Sequence, residues 1–313
     1  MPGRILVIRG GAIGDFILTL PALHLLRDAF PTCELHLLGY KHIVSLAEKR
    51  FYADHTRSIE YAGLAGFFCR GGKLDEELSD YFAGFQQVIS YLFDPDQIFA
   101  DNLKRAGVKN LLLCSPKIQD HLPASSQLMQ PLEQLALFPE TNIPRFYPAP
   151  EDLAAAEALI QPDGTPYAVL HPGSGGNEKI WPVENWLEMA ARFRAMHPGV
   201  KLIVTGGESD GPALASLRQS GLTGLHFLES LTLPVLGAAL SRAAVYFGHD
   251  TGISHLAAAA GAPCFLLFGP TDPAIWAPPG PQVEVITSPN KRLADLPPVT
   301  VWERLRPWLK QHL

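Results

Sequence analysis

The feature that most constrains this chain is the alternation of short, nearly all-apolar runs with longer amphipathic stretches. Parallel strands covered by helices on both faces read as continuous apolar runs, and the crossover helices supply the cover. In the first half the predicted strands are Arg4–Arg9, Glu34–Gly39, Arg57–Tyr61, Gln87–Leu92 and Lys109–Cys114, with helices over Asp15–Phe30 and Asp96–Ala106. Pro139, Pro144, Pro148 and Pro150 then crowd one short segment. Proline lacks a backbone donor and restricts its predecessor, so Phe138–Pro150 reads as an extended connector.

Past the connector the rhythm restarts. A helix over Glu151–Ile160 leads to strands at Tyr167–His171, Lys201–Thr205, Leu225–Leu228, Val245–Phe247 and Cys264–Phe268. Helices fall at Val183–Met196, Gly211–Gln219, Leu233–Ser241, Ile253–Ala260 and Val301–His312. A length of 313 residues suits two domains, each of about 150 residues. The expectation is two Rossmann-like α/β domains, residues 1–145 and 146–313, with the last helix free to pack back on the first. Ligands in such folds collect at the carboxyl ends of the strands, where helix amino termini point outward.

Composition removes several classes. The net charge is −6, from 25 basic and 31 acidic residues, which argues against nucleic acid as a partner. Cys33, Cys69, Cys114 and Cys264 form no CxxC pair, so free, buried thiols in a reducing compartment are expected and zinc has no ligand set among them. No apolar run reaches the roughly 18 residues of a membrane span, and charged Arg4, Arg9 and Asp15 break up the amino-terminal stretch. A cytoplasmic protein without a signal peptide is expected.

The first strand-to-helix turn reads Arg9-Gly10-Gly11-Ala12-Ile13-Gly14-Asp15. A dinucleotide fingerprint fails there, because alanine stands where GxGxxG needs its second glycine, and no acid follows the second strand at Gly39-Tyr40. Asp15 is expected at a helix start, as an N-cap or as a general base. The second turn, His171-Pro172-Gly173-Ser174-Gly175-Gly176-Asn177-Glu178-Lys179-Ile180-Trp181-Pro182, is glycine-rich without being a P-loop. Its amides, Ser174 and Lys179 suit an anion; the alternative is a plain surface loop. Glu208, just past a strand, either accepts ribose hydroxyls or favours the positive end of the next helix.

The fourth turn, Phe247-Gly248-His249-Asp250-Thr251-Gly252-Ile253-Ser254-His255, sets a carboxylate, a hydroxyl and open amides at a helix start, a set suited to a diphosphate and nearby sugar hydroxyls. His255 reads either as part of that set or as a hydrogen-bonded core histidine. Gly269-Pro270-Thr271-Asp272-Pro273 forms a fifth turn.

Taken in order, these turns resemble glycosyltransferase family 9, the ADP-heptose:lipopolysaccharide heptosyltransferases. The resemblance is carried by Gly14-Asp15 with Leu20-Pro21-Ala22-Leu23, His171-Pro172-Gly173, Lys179-Ile180-Trp181-Pro182, Asp250-Thr251-Gly252-Ile253-Ser254-His255 and Gly269-Pro270-Thr271-Asp272-Pro273. It implies a GT-B fold with two parallel sheets facing across a cleft, and an inverting transferase that needs neither metal nor cofactor. It further implies Asp15 as catalytic base and Lys179 as the neutraliser of the leaving diphosphate. Glu208 would hold the ribose, Asp250 the donor hydroxyls, and Thr251, Gly252 and Ile253 the phosphates. The implied partners are a nucleotide-sugar such as ADP-heptose and a lipid-linked or core-oligosaccharide acceptor, with peripheral contact at the inner membrane. Arg57, Arg70, Lys73, Lys104 and Arg105 look scattered, so no basic acceptor cluster is apparent in the first domain. A nucleotide-sugar epimerase of the same fold and an inert binding module are the competing readings.

Overall fold

The computed structural model describes residues 2–160, 164–207 and 210–313. The chain divides into two compact units, Met1–Asn142 and Ile143–Leu313. In the first unit the elements run β1 (Arg4–Arg9), α1 (Ile13–Ala29), β2 (Glu34–Gly39), α2 (Lys41–Val44), β3 (His55–Ser58), α3 (Glu76–Ala83), β4 (Gln87–Ser90), α4 (Ile98–Arg105), β5 (Leu111–Leu113) and α5 (Ala124–Met129). The sheet is parallel with order β3-β2-β1-β4-β5. Its central strand β1 is buried from Ile5 through Arg9, which accounts for its unbroken apolar run. One core cluster joins Leu6, Ile8, Leu38 and Val88 of the sheet to Phe82 and Phe99 of the covering helices.

The second unit runs α6 (Pro150–Ile160), β6 (Tyr167–Leu170), α7 (Val183–Met196), β7 (Lys201–Gly206), α8 (Gly211–Gln219), β8 (Leu225–Glu229), α9 (Leu233–Leu240), β9 (Val245–His249), α10 (Gly252–Ala259), β10 (Cys264–Phe268), α11 (Pro273–Trp276), β11 (Val283–Thr287) and α12 (Pro298–His312). Six parallel strands lie in the order β11-β10-β9-β6-β7-β8. Trp181 and Trp186 meet edge to face at 5.0 Å inside this unit's core. The Trp181 indole N–H donates to the carbonyl of Leu296 at 2.8 Å, so the ring is buried without an orphaned donor. Loss of such a side chain costs about 3–5 kcal/mol. α12 packs into the same core through Val301, Trp302, Leu305 and Leu309.

Several expectations shift. β3 spans His55–Ser58 rather than Arg57–Tyr61, and β11, α3 and α5 were not anticipated. The thiols are free, but burial is uneven: Cys114 and Cys264 are buried, Cys33 is partly so, and Cys69 is exposed. Among the described residues no helix is long and apolar enough to cross a membrane.

Each sheet has one topological switch point, where successive connections leave in opposite directions. It lies between β1 and β4 in the first unit and between β6 and β9 in the second. Crevices for ligands form there, outside the carboxyl ends of the strands. The turns after β1, β6 and β9 carry most of the singled-out residues.

Candidate functional site

In the second unit, the 171–182 loop leaves β6 beside the end of β9. His249, fully buried at the end of β9, holds the loop near both its ends. Its Nε2 accepts the backbone N–H of Trp181 at 2.9 Å, so its proton sits on Nδ1, which faces the carbonyl of Gly173 at 3.3 Å. Burial pushes the imidazole down to about 3, and it is therefore neutral at pH 7. His171 is lowered by burial as well, and its Nδ1 lies 3.0 Å from the carbonyl of Thr205.

The loop's glycines are not used as the sequence suggested. None of Gly173, Gly175 and Gly176 has a positive φ, so they form no left-handed anion nest. Gly173 is required for packing instead: a β-carbon there would lie 1.7 Å from Asp210 Oδ1. Asp210 is held in turn by the N–H of Gly207, which donates to its Oδ2 at 2.8 Å.

The loop then delivers Lys179 from the short 3-10 turn Asn177–Lys179. Its ammonium donates to Asp250 Oδ2 at 2.6 Å, and the Thr271 hydroxyl donates to the same oxygen at 2.7 Å. Asp250 is 8% exposed and the lysine side chain 28%, so the acid is enclosed while its partner reaches solvent. His255 in α10 brings Nε2 to 4.0 Å from Asp250 Oδ1. Thr251 is the N-cap of α10, its Oγ1 accepting from Ser254 N–H at 3.2 Å. Gly252 and Ile253 open the helix, where no preceding turn offers carbonyls to their amides. Ser174 lies partly buried on the Lys179 loop. Glu208 is outside the described residues.

In the first unit Asp15 is the third residue of α1 and not its N-cap, because the helix begins earlier, after an extended Ala12. Its Oδ2 reaches back to accept the N–H of Ala12 at 2.8 Å, half of a capping box. Gly11 makes that possible with φ +95°, and a β-carbon there would sit 2.7 Å from the same oxygen. Arg9, 5% exposed, lies with Nη2 3.5 Å from Asp15 Oδ1. Its guanidinium also donates to Thr19 Oγ1 at 3.0 Å and to the Tyr91 carbonyl at 3.3 Å. The Asp15 side chain stays 33% exposed. It therefore combines a fixed orientation with an accessible oxygen.

Of the basic residues singled out in the first domain, Arg57 alone lines a cavity among the described residues, and there it is joined by Lys41. A cavity of about 380 Å³ past the ends of β2 and β3 is lined by Lys41, Thr56, Arg57, Ser58 and Tyr61 among others. Lys104 and Arg105 are engaged elsewhere, with Asp101 and with the Gly72 carbonyl. Sequence reading assigned no role to Arg9, Lys41, His249 or Thr271. Thr271 and His249 stand inside quoted motifs, but only the fold shows which atoms they meet.

A family model for glycosyltransferase family 9 (heptosyltransferase) matches residues 124–302, more than half of the chain. The chain belongs to glycosyltransferase family 9. The match includes the Lys179 loop and the Asp250 and Thr271 turns; the Asp15 turn lies before it. Lipopolysaccharide heptosyltransferase 1 of Salmonella typhimurium is 29% identical over 140 residues, which cover 45% of this chain and 44% of that protein. The matched stretch thus spans less than half the length of that relative. A solved family 9 glycosyltransferase from Veillonella parvula superposes with a TM-score of 0.83 at 19% identity, covering 99% of this chain and 98% of the other. The E. coli heptosyltransferase WaaC, solved with ADP, gives 0.74 at 18% identity and coverage of 97% and 99%. The family 9 chain shares with them the GT-B class of fold, two α/β units each built on a parallel sheet.

Proposed function

We propose that this family 9 chain is an inverting glycosyltransferase that moves a sugar, heptose from ADP-heptose, onto a lipopolysaccharide-core or related glycan acceptor. The first domain, residues 1–145, binds the acceptor, and residues 146–313 bind the donor. The observation that carries the reading is the Lys179–Asp250 pair at the β6/β9 switch point beside the capped start of α10. Such a place combines a partly exposed cation, helix-start amides and an acid, the groups that a sugar diphosphate needs. The relatives support the donor: one is named a lipopolysaccharide heptosyltransferase, and another was solved with ADP.

The reaction is one displacement. The acceptor hydroxyl attacks the anomeric carbon, Asp15 takes its proton, and the bond to the diphosphate breaks with the electron pair leaving on ADP. Lys179 and the amides of Gly252 and Ile253 stabilise that growing charge, so no divalent metal is required. Thr251 and Ser174 add contacts to the phosphates, and Asp250 with His255 orients donor hydroxyls. Glu208 holds the ribose. Lys41 and Arg57 give the acceptor side a cationic wall suited to an anionic glycan, with work at the cytoplasmic face of the inner membrane.

A melting-temperature screen against ADP-, UDP-, GDP- and dTDP-sugars, followed by a transfer assay on a lipopolysaccharide-core acceptor, tests this. A ligand that binds only the native state raises the melting temperature. A shift with ADP-sugars and formation of heptosylated product are expected. Stabilisation by another nucleotide alone, or donor turnover without an acceptor, overturns it.

A further inference from the structure

At the end of the first sheet remote from the Asp15 turn, the strand register assembles three metal-ligand side chains. His36 of β2 lies directly opposite His55 of β3. Glu34 is two residues before His36, so it shares that face of the sheet. Their ligand atoms all lie within 4.8 Å of one another. We propose that Glu34, His36 and His55 bind a divalent transition-metal ion of the zinc class, which ties the edge strand β3 to β2.

The spacing suits such an ion. Glu34 Oε2 and His36 Nε2 are 3.4 Å apart. Two ligands at the usual zinc distances of about 2.0–2.1 Å, held tetrahedrally, stand about 3.3 Å from each other. The His55 ring is 4.6 Å from that of His36, centroid to centroid, and is exposed, so a side-chain rotation completes the set. His36 already has the support that a metal-bound histidine needs. Its other nitrogen, Nδ1, lies 3.3 Å from the Tyr81 hydroxyl, and Phe85 packs edge-on against the ring at 5.0 Å. A partner on the far nitrogen fixes ring orientation and tautomer, leaving Nε2 free to bind metal. Two imidazoles and one carboxylate favour zinc, copper or nickel over calcium and magnesium, which prefer all-oxygen sets.

One neighbour competes. Arg4 Nε stands 4.0 Å from the same Glu34 oxygen, with its guanidinium over the Phe85 ring at 4.5 Å. The ion must displace this contact, which lowers its affinity and makes Arg4 a diagnostic handle. The place also limits the role. Glu34 opens β2 and His55 opens β3, at the amino ends of the strands, whereas the Asp15 turn follows the carboxyl end of β1. The ion would support structure and would not touch the transferred sugar. Because among the described residues β3 pairs only with β2, a clamp there steadies the strand that carries Arg57 and Ser58 to the cavity.

The test uses the full chain, stripped with chelator and titrated with zinc alone by calorimetry and thermal melting. One zinc per chain and a melting temperature raised by several degrees at saturation are expected. His55→Ala, at an exposed position, and Glu34→Gln should each weaken zinc at least tenfold, while Arg4→Gln should tighten it. Binding that is equally strong in His55→Ala would place the metal on other histidines and overturn the proposal. Absence of zinc binding in the wild-type chain, or an Arg4→Gln variant that binds no better, would overturn it too. None of these readouts depends on the donor or the acceptor.

Discussion

The turns at the two switch points pair an acid with a base in opposite ways. In the first unit the cation is the buried member: Arg9 is enclosed and its guanidinium is occupied by Thr19, Tyr91 and Asp15, while the Asp15 carboxylate is a third exposed. In the second unit the acid is enclosed, and Lys179 reaches solvent. In each pair the more accessible member is the one to which the proposed function gives the proton transfer or the charge neutralisation. Under the proposed function the first unit offers a proton acceptor and the second an anion-binding cation, each oriented by its paired side chain.

The most severe way to break the comparison is Asp15→Asn. Asparagine can keep the contact to the Ala12 amide but cannot take a proton, so capping and base catalysis separate. Turnover should fall by about two to four orders of magnitude, with ADP affinity by calorimetry almost unchanged. Near-normal turnover with a slightly lower melting temperature would make Asp15 a cap alone. Next in size is Lys179→Ala. Losing a charge-assisted contact worth about 1.5–3 kcal/mol should weaken ADP by about one to two decades and leave adenosine unaffected. Equal losses for both ligands would mean that the loop, not the phosphate contact, was damaged.

Legibility in the sequence followed burial. Arg4–Arg9, Glu34–Gly39, Val183–Met196, Gly211–Gln219 and Cys264–Phe268 emerged with the bounds that the fold shows, because elements packed on a core are apolar where they touch it. The edge strands β3 and β11 failed, while the edges β5 and β8 emerged with slightly different bounds. β3 pairs on one side only and is polar, and β11, also an edge, carries Glu284 in its run. With β3 read from Arg57, its register with β2 does not set His55 opposite His36, and the cluster is invisible in the sequence. Among the helices, α3 had a readable signal in Asp75, which caps it by accepting the Leu78 N–H at 2.9 Å. The candidate site was legible as turns after strands but not as contacts. Lys179 and Asp250 are 71 residues apart, and the buried pins His249 and Arg9 owe their roles to what packs around them.

The two turns also differ in what pins them, and acid should separate them. Arg9 holds the first with a guanidinium that stays charged throughout. His249 holds the second as a neutral ring, its value depressed by burial from an ordinary 6.5 to about 3. A depressed histidine contributes stability that is complete above pH 6.5 and is lost as the pH falls toward 3. At pH 5 the cost is on the order of 2 kcal/mol. After allowance for the slower intrinsic exchange in acid, hydrogen-exchange protection should therefore fall at residues 172–181 between pH 7 and pH 5, with protection at residues 10–15 little changed. His249→Gln should reduce that pH dependence. Equal loosening of both turns would deny His249 its part.

The smallest expected effect is none, and it tests whether the accessible cation of the second unit suffices. If Lys179 and the Gly252 and Ile253 amides carry the diphosphate charge, no Lewis acid is needed at the leaving group. Chelation with EDTA should then leave the transfer rate unchanged at temperatures well below melting. Loss of the proposed Glu34–His36–His55 ion should appear instead as a lower melting temperature. The two readouts must come apart, since that cluster stands at the amino end of its sheet and Lys179 at the carboxyl end of the other. Complete loss of transfer on chelation, restored by magnesium or manganese, would show that a hard cation shares the diphosphate with Lys179. The second pair would then be a binding contact rather than the whole charge supply, and the symmetry between the two turns would fail on the donor side.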